Sequence, residues 1–133
     1  MAEAISVAPV DATATLEALF GPLKCDGLMG YDFADVSWLW QAEPLAPEKI
    51  WHQRFIGADL AALQLQLAQN LFRDNAAQRI LCNIGHAKLD VGLTRYNQVL
   101  ATVAAHFNVP VLGTIWRWPG QGYVIDVLVS ALA

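Results

Sequence analysis

The chain reads RILCNIGHAKLDVGLTRYNQVLATVAAHFNVPVLGTIWRW from Arg79 to Trp118. Arg79–Ile84 is a short apolar run of the kind found in buried strands. From Thr94 to Phe107 the apolar residues recur at the spacing of one helix face, which predicts an amphipathic helix. Val109–Trp118 is rich in β-branched and aromatic residues, which favours a second strand. A strand, a helix and a strand in this order indicate a sheet that carries helices on its faces.

Similar patterns continue on both sides of this segment. They predict a short strand in Ala4–Val10, a helix over residues 12–20 ended by Gly21-Pro22, a strand in Val36–Trp40, a helix over residues 47–55, a helix in Ala58–Arg73 and a returning antiparallel strand in Tyr123–Val129. We therefore predict an α/β or α+β fold, with one compact domain over residues 1–133. Its core is a mixed β-sheet of about four to five strands with helices packed on its faces.

The predicted helix in Ala58–Arg73 has an apolar arc that is wider than a single contact requires. Its members fall into two groups on a helical wheel, Leu60, Leu63, Leu67 and Leu71 on one side and Ala61, Leu65, Ala68 and Phe72 beside them. Together they span an arc of about 200°, which implies contact with the sheet and with a second helix or another subunit. Gln64 lies inside this arc, so its amide needs a partner.

The composition excludes several classes of protein. Hydrophobic residues make up 56% of the chain and charged residues 15%, against roughly 25% charged in an ordinary soluble domain. Such a chain is not intrinsically disordered, and its net charge of −4 argues against nucleic acid as a partner. The apolar excess predicts exposed apolar surface, and such surface marks interfaces. We therefore expect self-association into a homo-oligomer or a tightly held protein partner.

The sequence also bears on location. No Lys or Arg precedes Lys24, and no apolar run is as long as the ~18 residues that a membrane-spanning helix needs. We therefore expect no membrane association and a cytoplasmic location. In that compartment Cys25 and Cys82 are expected to be reduced thiols.

Tryptophans are the most unusual residues of the chain. They include two pairs at i and i+2, Trp38/Trp40 and Trp116/Trp118, and on a strand each pair points to one face. Such pairs can be core, part of a protein interface or a platform for a ligand, and the sequence leaves these uses open. The candidate binding residues are Trp38, Trp40, Trp51, Arg54, Trp116, Arg117 and Trp118.

Arg54 has two interpretations. In the predicted helix over residues 47–55, Trp51 and Arg54 are three residues apart and therefore neighbours. Arg54 and His52 can then hold an anion or the carboxylate of a partner. In the structural alternative, Arg54 pairs with an acidic residue of the segment 26–48.

Known catalytic and metal-binding motifs are absent from the sequence. Cys82 and His86 have Cys-x3-His spacing, and Cys25 and His52 could complete a metal site in space. Structural zinc sites usually repeat a short spacing in both halves, which this chain does not. No serine lies in a Gly-x-Ser-x-Gly motif. We therefore predict no metal and no cofactor.

These observations favour a non-enzymatic, cytoplasmic protein that binds another protein, either as a homo-oligomer or as an accessory or regulatory subunit. The alternative is a small enzyme or ligand-binding domain with a polar cleft around His52, Arg54, His86 and Asp90. That alternative requires at least two of these four residues to converge. The order of elements in Tyr96–Ile115 also resembles the late part of nucleotide-binding α/β domains. This resemblance implies a third possibility, a nucleotide-binding domain that has lost its phosphate loop.

Overall fold

Strands and helices alternate along most of the chain. The structure is a computed structural model that describes residues 6–8, 12–24, 38–39 and 49–131. Within these ranges the strands are β1 (Ser6–Ala8), β2 (Lys49–Gly57), β3 (Ala77–His86), β4 (Val111–Trp116) and β5 (Tyr123–Ala131), and the longer helices are α1 (Ala12–Lys24), α2 (Leu60–Asn70) and α3 (Leu93–Phe107).

The strands form one mixed sheet in the order β1-β2-β5-β3-β4. β3 and β4 are parallel, whereas β5 is antiparallel to both of its neighbours, β2 and β3. It follows that β2, β3 and β4 run in one direction and that β5 is inserted between the first two. The predicted fold class is confirmed as a mixed sheet with packed helices, of the α+β kind.

The connections place the helices on opposite faces of the sheet. The crossovers β2-α2-β3 and β3-α3-β4 both advance across the sheet in the same direction, and such connections are right-handed. α2 and α3 therefore share one face, where Leu63 and Val99 pack in a core with Phe55, Ile84 and Val127. α1 covers the other face, where a second core contains Ala18, Leu19, Leu39, Leu81 and Leu128.

The ends of α2 and α3 follow local chemistry. Asp59 caps α2, since its side chain accepts a hydrogen bond from the backbone N–H of Ala61 at 3.1 Å. α3 ends at Asn108, whose backbone is left-handed with φ 56° and ψ 43°. Asparagine tolerates this conformation better than most residues, and it is common after the last helical turn. α2 lies within its predicted range, and α3 begins one residue before the predicted Thr94.

Two predicted elements are wrong in type. Residues 49–57 form strand β2 rather than a helix over 47–55, because burial of the polar run His52-Gln53-Arg54 in the sheet hides the alternation that marks a strand. Trp38 and Leu39 are helical rather than part of a strand over Val36–Trp40, and the other residues of that prediction lie outside the described part. Aromatic content alone favoured the strand there.

One boundary and one strand pairing also differ from the predictions. Gly21-Pro22 does not end α1, which continues to Lys24 with Pro22 inside it. β5 is antiparallel, as predicted, but it pairs with β2 and β3 instead of returning beside β4. The segment that joins β4 to β5 therefore crosses the end of β3.

Candidate functional site

A row of polar side chains crosses the sheet on its α1 face. Arg54 of β2 is in register with Asp126 of β5, Asp126 with Asn83 of β3, and Asn83 with Thr114 of β4. Residues in register point to the same face, so the four side chains lie side by side. All four are buried. Because burial of a charge is costly unless it is paired, the partners of Arg54 and Asp126 define the site.

Arg54 is held by two carboxylates. Its Nε and Nη2 donate to the two oxygens of Asp126 at 2.7 and 3.2 Å, and its Nη1 lies 2.8 Å from Oε1 of Glu17 in α1. Burial lowers the pKa of the Arg54 guanidinium, but the hydrogen bonds and charge of Asp126, followed by those of Glu17, outweigh this effect and raise it. Arg54 is therefore a permanent buried cation.

His52 joins the same carboxylate to α1. Its Nε2 lies 2.6 Å from Oδ1 of Asp126, and its Nδ1 lies 3.1 Å from Oγ1 of Thr15. Since a carboxylate only accepts, Nε2 is the donor, and a neutral ring accepts the Thr15 hydroxyl proton at Nδ1. We call Glu17, His52, Arg54 and Asp126 the ionic cluster. It ties α1 to two strands of the sheet.

Burial limits the reactions that Thr15, His52 and Asp126 could carry out together. Hydroxyl, imidazole and carboxylate in hydrogen-bond reach are the elements of nucleophilic catalysis. However, the side chains of His52 and Asp126 are 2% and 0% exposed, and Arg54 occupies both oxygens of the carboxylate. The arrangement therefore favours a structural anchor over an accessible nucleophile.

Two buried polar atoms on the α1 face have no partner among the described residues. The Asn83 amide donates from Nδ2 to the carbonyl oxygen of Ala18 at 3.0 Å, whereas its Oδ1 has no donor. Nε1 of Trp116 is likewise buried without an acceptor. An unpaired buried polar group costs about 1–3 kcal/mol, so each calls for an explanation.

The four residues of the predicted polar cleft form two separate pairs. His52 and Arg54 converge on Asp126 on the α1 face. His86 lies at the end of β3 on the opposite face, where its ring stacks on Tyr123 with centroids 4.4 Å apart. Its Nδ1 lies 3.2 Å from the backbone N–H of Asp90. His86 and Asp90 therefore share a turn at one end of the sheet.

The second tryptophan pair lies in the core. Trp116 and Trp118 are 1% and 7% exposed and pack with Val124 on the α1 face. They fit there because Gly85 lies beneath them. A Cβ at Gly85 would lie 2.6 Å from the Cβ of Trp118 and 3.0 Å from Nε1 of Trp116. Of the three uses left open by the sequence, the structure places this pair in the core.

The first tryptophan pair is only partly described. Trp38 is half-buried beneath the guanidinium of Arg79, which lies 5.2 Å from its ring centroid. Arg79 also donates to the carbonyl oxygen of Trp38 at 2.7 Å. Trp40 lies outside the described residues.

The remaining candidate binding residues are dispersed. Because residues 49–57 form a strand, Trp51 and Arg54 point to opposite faces and are not neighbours as the helix prediction required. Trp51 is half-buried between the rings of Phe72 and Phe107, at 5.9 and 5.8 Å. Arg117 is exposed and donates to the carbonyl oxygen of Ala87 at 3.1 Å.

The second half of the apolar arc on α2 is exposed. Leu60, Leu63 and Leu67 are buried against the sheet, whereas Leu65 is 65% exposed and Phe72 60% exposed. We call Leu65, Phe72, the half-buried Ala61 and the exposed Ala68 the α2 strip, although Phe72 lies two residues beyond the end of the helix. The strip borders a groove of about 340 Å³ between α2 and α3 that is lined by Ala61, Gln64, Leu65, Ala68, Arg95 and Thr102.

Two polar contacts join α2 and the segment after it to α3. Oε1 of the half-buried Gln64 accepts from Nη1 of Arg95 at 2.6 Å, which gives the Gln64 amide a partner. The carbonyl oxygen of Phe72 lies 3.0 Å from Nε2 of His106 in α3. The contact between Phe72 and His106 joins the segment after α2 to the last turn of α3.

Cys82 lies in the core beneath α2 and α3, on the opposite face from His52. Burial raises the pKa of its thiol well above the ordinary value, and the charge of Asp126 raises it further. Within the described ranges, no three His, Cys, Asp or Glu side chains form a group that could hold a metal ion. The spacing of Cys82 and His86 therefore does not create a site with His52.

Comparisons with known proteins assign no family to this chain. No family model matches it, and no curated protein is significantly similar to it. Among the described residues, no helix is both long and apolar enough to cross a membrane.

The sequence prediction missed Asp126, Glu17 and Thr15. Asp126 carries one signal, since it is the single charged residue in the apolar strand Tyr123–Ala131. A lone acid in such a strand indicates a buried partner of opposite charge. Glu17 and Thr15 carry no comparable signal, because their roles depend on how α1 docks on the sheet.

Proposed function

We propose that this chain is a non-enzymatic cytoplasmic protein that acts by binding another protein chain through the α2 strip. The observation that carries the proposal is the exposure of Leu65 on α2 and of Phe72 just beyond its end, while Leu60, Leu63 and Leu67 are buried.

The spacing of the strip supports a helical or extended partner. Ala61, Leu65 and Ala68 follow one another on α2 at intervals of four and three residues, and Phe72 follows the end of the helix. These are the intervals of a coiled-coil seam, in which large side chains of one helix insert between residues of another. The adjacent groove supplies a concave wall on the α3 side. A partner that covers the strip would remove its apolar surface from water at about 25 cal/mol per Å².

Site-specific photo-crosslinking tests the proposal. A photo-reactive amino acid replaces Leu65 in the living cell, and the adducts are identified by mass spectrometry. The matched control places it at Leu93, which is 60% exposed and lies outside the strip. We expect a discrete protein adduct from position 65 and none from position 93. Equal labelling at both positions, or no adduct at position 65, contradicts the proposal.

A ligand-binding function on the α1 face is the second candidate. The unpartnered Asn83 Oδ1 and Trp116 Nε1 favour it, because a small polar molecule could satisfy an acceptor and a donor together. Native mass spectrometry of the purified protein and of Trp116→Phe tests it. A small molecule that is bound to the wild type and lost from the variant supports this function, whereas the bare protein mass in both contradicts it.

A further inference from the structure

We infer that one buried water molecule bridges Oδ1 of Asn83 and Nε1 of Trp116, beneath the turn of α1 that contains Pro22. This site lies on the α1 face and is separate from the α2 strip. The same two atoms define the ligand-binding candidate, but here their ligand is a single molecule of water that belongs to the fold.

Pro22 explains why a polar side chain of the sheet contacts the backbone of α1. In an α-helix the N–H of residue 22 would donate to the carbonyl oxygen of Ala18, but proline has no N–H. Nδ2 of Asn83 donates to this carbonyl at 3.0 Å instead. The bond also fixes the amide, because a flipped amide would set Oδ1 against the carbonyl oxygen, and both are acceptors. Oδ1 of Asn83 is therefore the atom that needs a donor.

Trp116 brings a donor to the same part of the sheet. Asn83 and Gly85 are two residues apart on β3 and point to one face, and Trp116 is in register with Gly85. Nε1 of Trp116 lies close to β3, since a Cβ at Gly85 would be 3.0 Å from it. Asn83 and Trp116 are 0% and 1% exposed. Among the described residues, an acceptor and a donor without partners therefore lie on neighbouring strands beneath α1.

The close packing around Trp116 favours water over a larger ligand. A Cβ at Gly85 would lie 3.0 Å from Nε1, and a Cβ at Gly21 of α1 would lie 2.7 Å from Cζ3 of the same ring. These separations are too short for carbon, whose contacts with other carbon atoms lie at about 3.5–4.0 Å. A water oxygen approaches an N–H or a carbonyl oxygen to about 2.7–3.0 Å, because that contact is a hydrogen bond.

One water molecule satisfies both atoms at once. It donates to Oδ1 of Asn83 and accepts from Nε1 of Trp116. A third partner is the carbonyl oxygen of Ala18, which has two lone pairs and uses one of them for Asn83. Buried water typically makes about three hydrogen bonds, and water enters helices where the backbone ladder is interrupted. Neither atom then carries the cost of an unpaired buried polar group.

Water-selective NMR of the nitrogen-15-labelled protein tests the site. We expect a cross-relaxation peak between water and the indole N–H proton of Trp116, with opposite signs in the laboratory and rotating frames. Bound water gives this change of sign, whereas proton exchange does not. The peak is assigned by its loss in Trp116→Phe. The indole N–H of Trp51 is the matched control, because it donates to Oδ2 of Asp74 at 2.9 Å, and it should show no such peak.

Two variants test the partner of the water. Asn83→Leu removes the acceptor, and we expect the peak at Trp116 to be lost, because a water with one partner fewer exchanges rapidly. Thr114→Val is the control, since Thr114 is a buried neighbour of Asn83 on the same face but leaves both atoms of the site in place. It should retain the peak. It also removes a hydroxyl proton that could otherwise relay magnetisation from water.

A crystal structure of the wild type gives a measurement that does not depend on how the variants fold. We expect density for a single atom within about 3.2 Å of both Asn83 Oδ1 and Trp116 Nε1. Three outcomes overturn the inference. They are a wild type without the water peak at Trp116, a direct bond between the two side chains, and density for a larger molecule.

Native mass spectrometry separates water from the ligand-binding candidate. A molecule that is bound to the wild type and lost from Trp116→Phe supports that candidate and overturns the water. The bare protein mass in both contradicts the candidate and agrees with water, which is lost on desolvation. None of these results bears on the α2 strip, so the proposed function and this site fail independently.

Discussion

At the scale of single residues, Asp126 is the group on which the α1 face depends. Its carboxylate accepts from both Arg54 and His52, and these side chains have little access to water that could replace it. Removing one partner of a buried ion pair leaves the other charge uncompensated, at a cost of about 3–5 kcal/mol.

We therefore expect Asp126→Asn to lower the free energy of unfolding by about 3–5 kcal/mol, measured by urea denaturation. Glu17→Gln is the control, since Glu17 binds the same guanidinium but its side chain is 37% exposed. It should cost less than about 1 kcal/mol, as exposed pairs do. Equal losses in the two variants would show that burial does not set the strength of this cluster.

A second prediction at the scale of single residues concerns Gly85. Its missing side chain provides the space for Trp116 and Trp118, and an added Cβ would lie 2.7 Å from Cγ1 of Val124 as well. Overpacking of this kind costs about 1–3 kcal/mol. We expect Gly85→Ala to reduce stability by that amount and to change the tryptophan fluorescence of the folded protein. Gly92→Ala is the control, because a Cβ there meets nothing within 4 Å. Similar stability of the two variants would contradict the packing described here.

At the scale of elements, the end of α3 depends on one backbone conformation. Asn108 is left-handed, and its N–H bonds to the carbonyl oxygen of Ala104 at 2.7 Å. For a residue with an ordinary side chain, the left-handed conformation costs roughly 1–2 kcal/mol of free energy. We expect Asn108→Ala to lower the unfolding free energy by about 1 kcal/mol and Asn108→Gly to retain or increase it. Thermal unfolding monitored by circular dichroism measures both. A glycine variant less stable than the alanine variant would contradict this role.

The repeat of apolar positions along the sequence predicted the helices and strands that bury one regular face. α3 and β3 were recovered within a few residues, because each shows a repeat of apolar positions that needs no knowledge of the rest of the fold. β2 was mistaken for a helix because His52 and Arg54 are polar yet point into the core. Their partner, Asp126, is far away in sequence, so no local pattern records the pairing.

For the candidate site, too, the local pattern could be predicted from the sequence and the contacts between distant residues could not. The wide apolar arc was visible on a helical wheel and predicted a second contact surface beyond the sheet, which stays a prediction because Leu65 and Phe72 are exposed. Which half of the arc would be left exposed depended on where α3 packs, as the contact between Gln64 and Arg95 shows. The tryptophan pairs could not be assigned from composition, because the space that buries Trp116 and Trp118 is created by Gly85 on a different strand.

At the scale of the whole molecule, the buried thiol of Cys82 links stability to pH. In the folded protein burial, followed by the charge of Asp126, raises its pKa, whereas an unfolded thiol has a pKa near 8.5. Above that value the unfolded state releases a proton that the folded state keeps. The free energy of unfolding therefore falls as the pH rises, by about 1.4 kcal/mol per pH unit for this one group.

We expect the stability of the wild type to decline more steeply between about pH 8.5 and 10 than that of Cys82→Ala. Urea denaturation at several pH values measures the two slopes. The range ends at about pH 10 because tyrosine in the unfolded state begins to ionise there. Burial raises the pKa of Tyr96 to about 12 in the folded state, so this residue would add its own pH dependence above that point. Cys25 is present in both proteins and cancels in the comparison. Parallel slopes would show that Cys82 ionises in the folded state as readily as in the unfolded state.

The ribosome makes β5 after every other described strand, although β5 occupies the centre of the sheet. Until β5 emerges, β2 and β3 have no strand between them, and the nascent sheet consists of two separate ribbons. β4 ends at Trp116 and β5 at Ala131, and at about 5–20 residues per second the segment between them takes about 1–3 seconds to synthesise, during which both inner edges are open. A chain that stops before Tyr123 therefore lacks the strand that pairs with both β2 and β3, and an edge of each stays open.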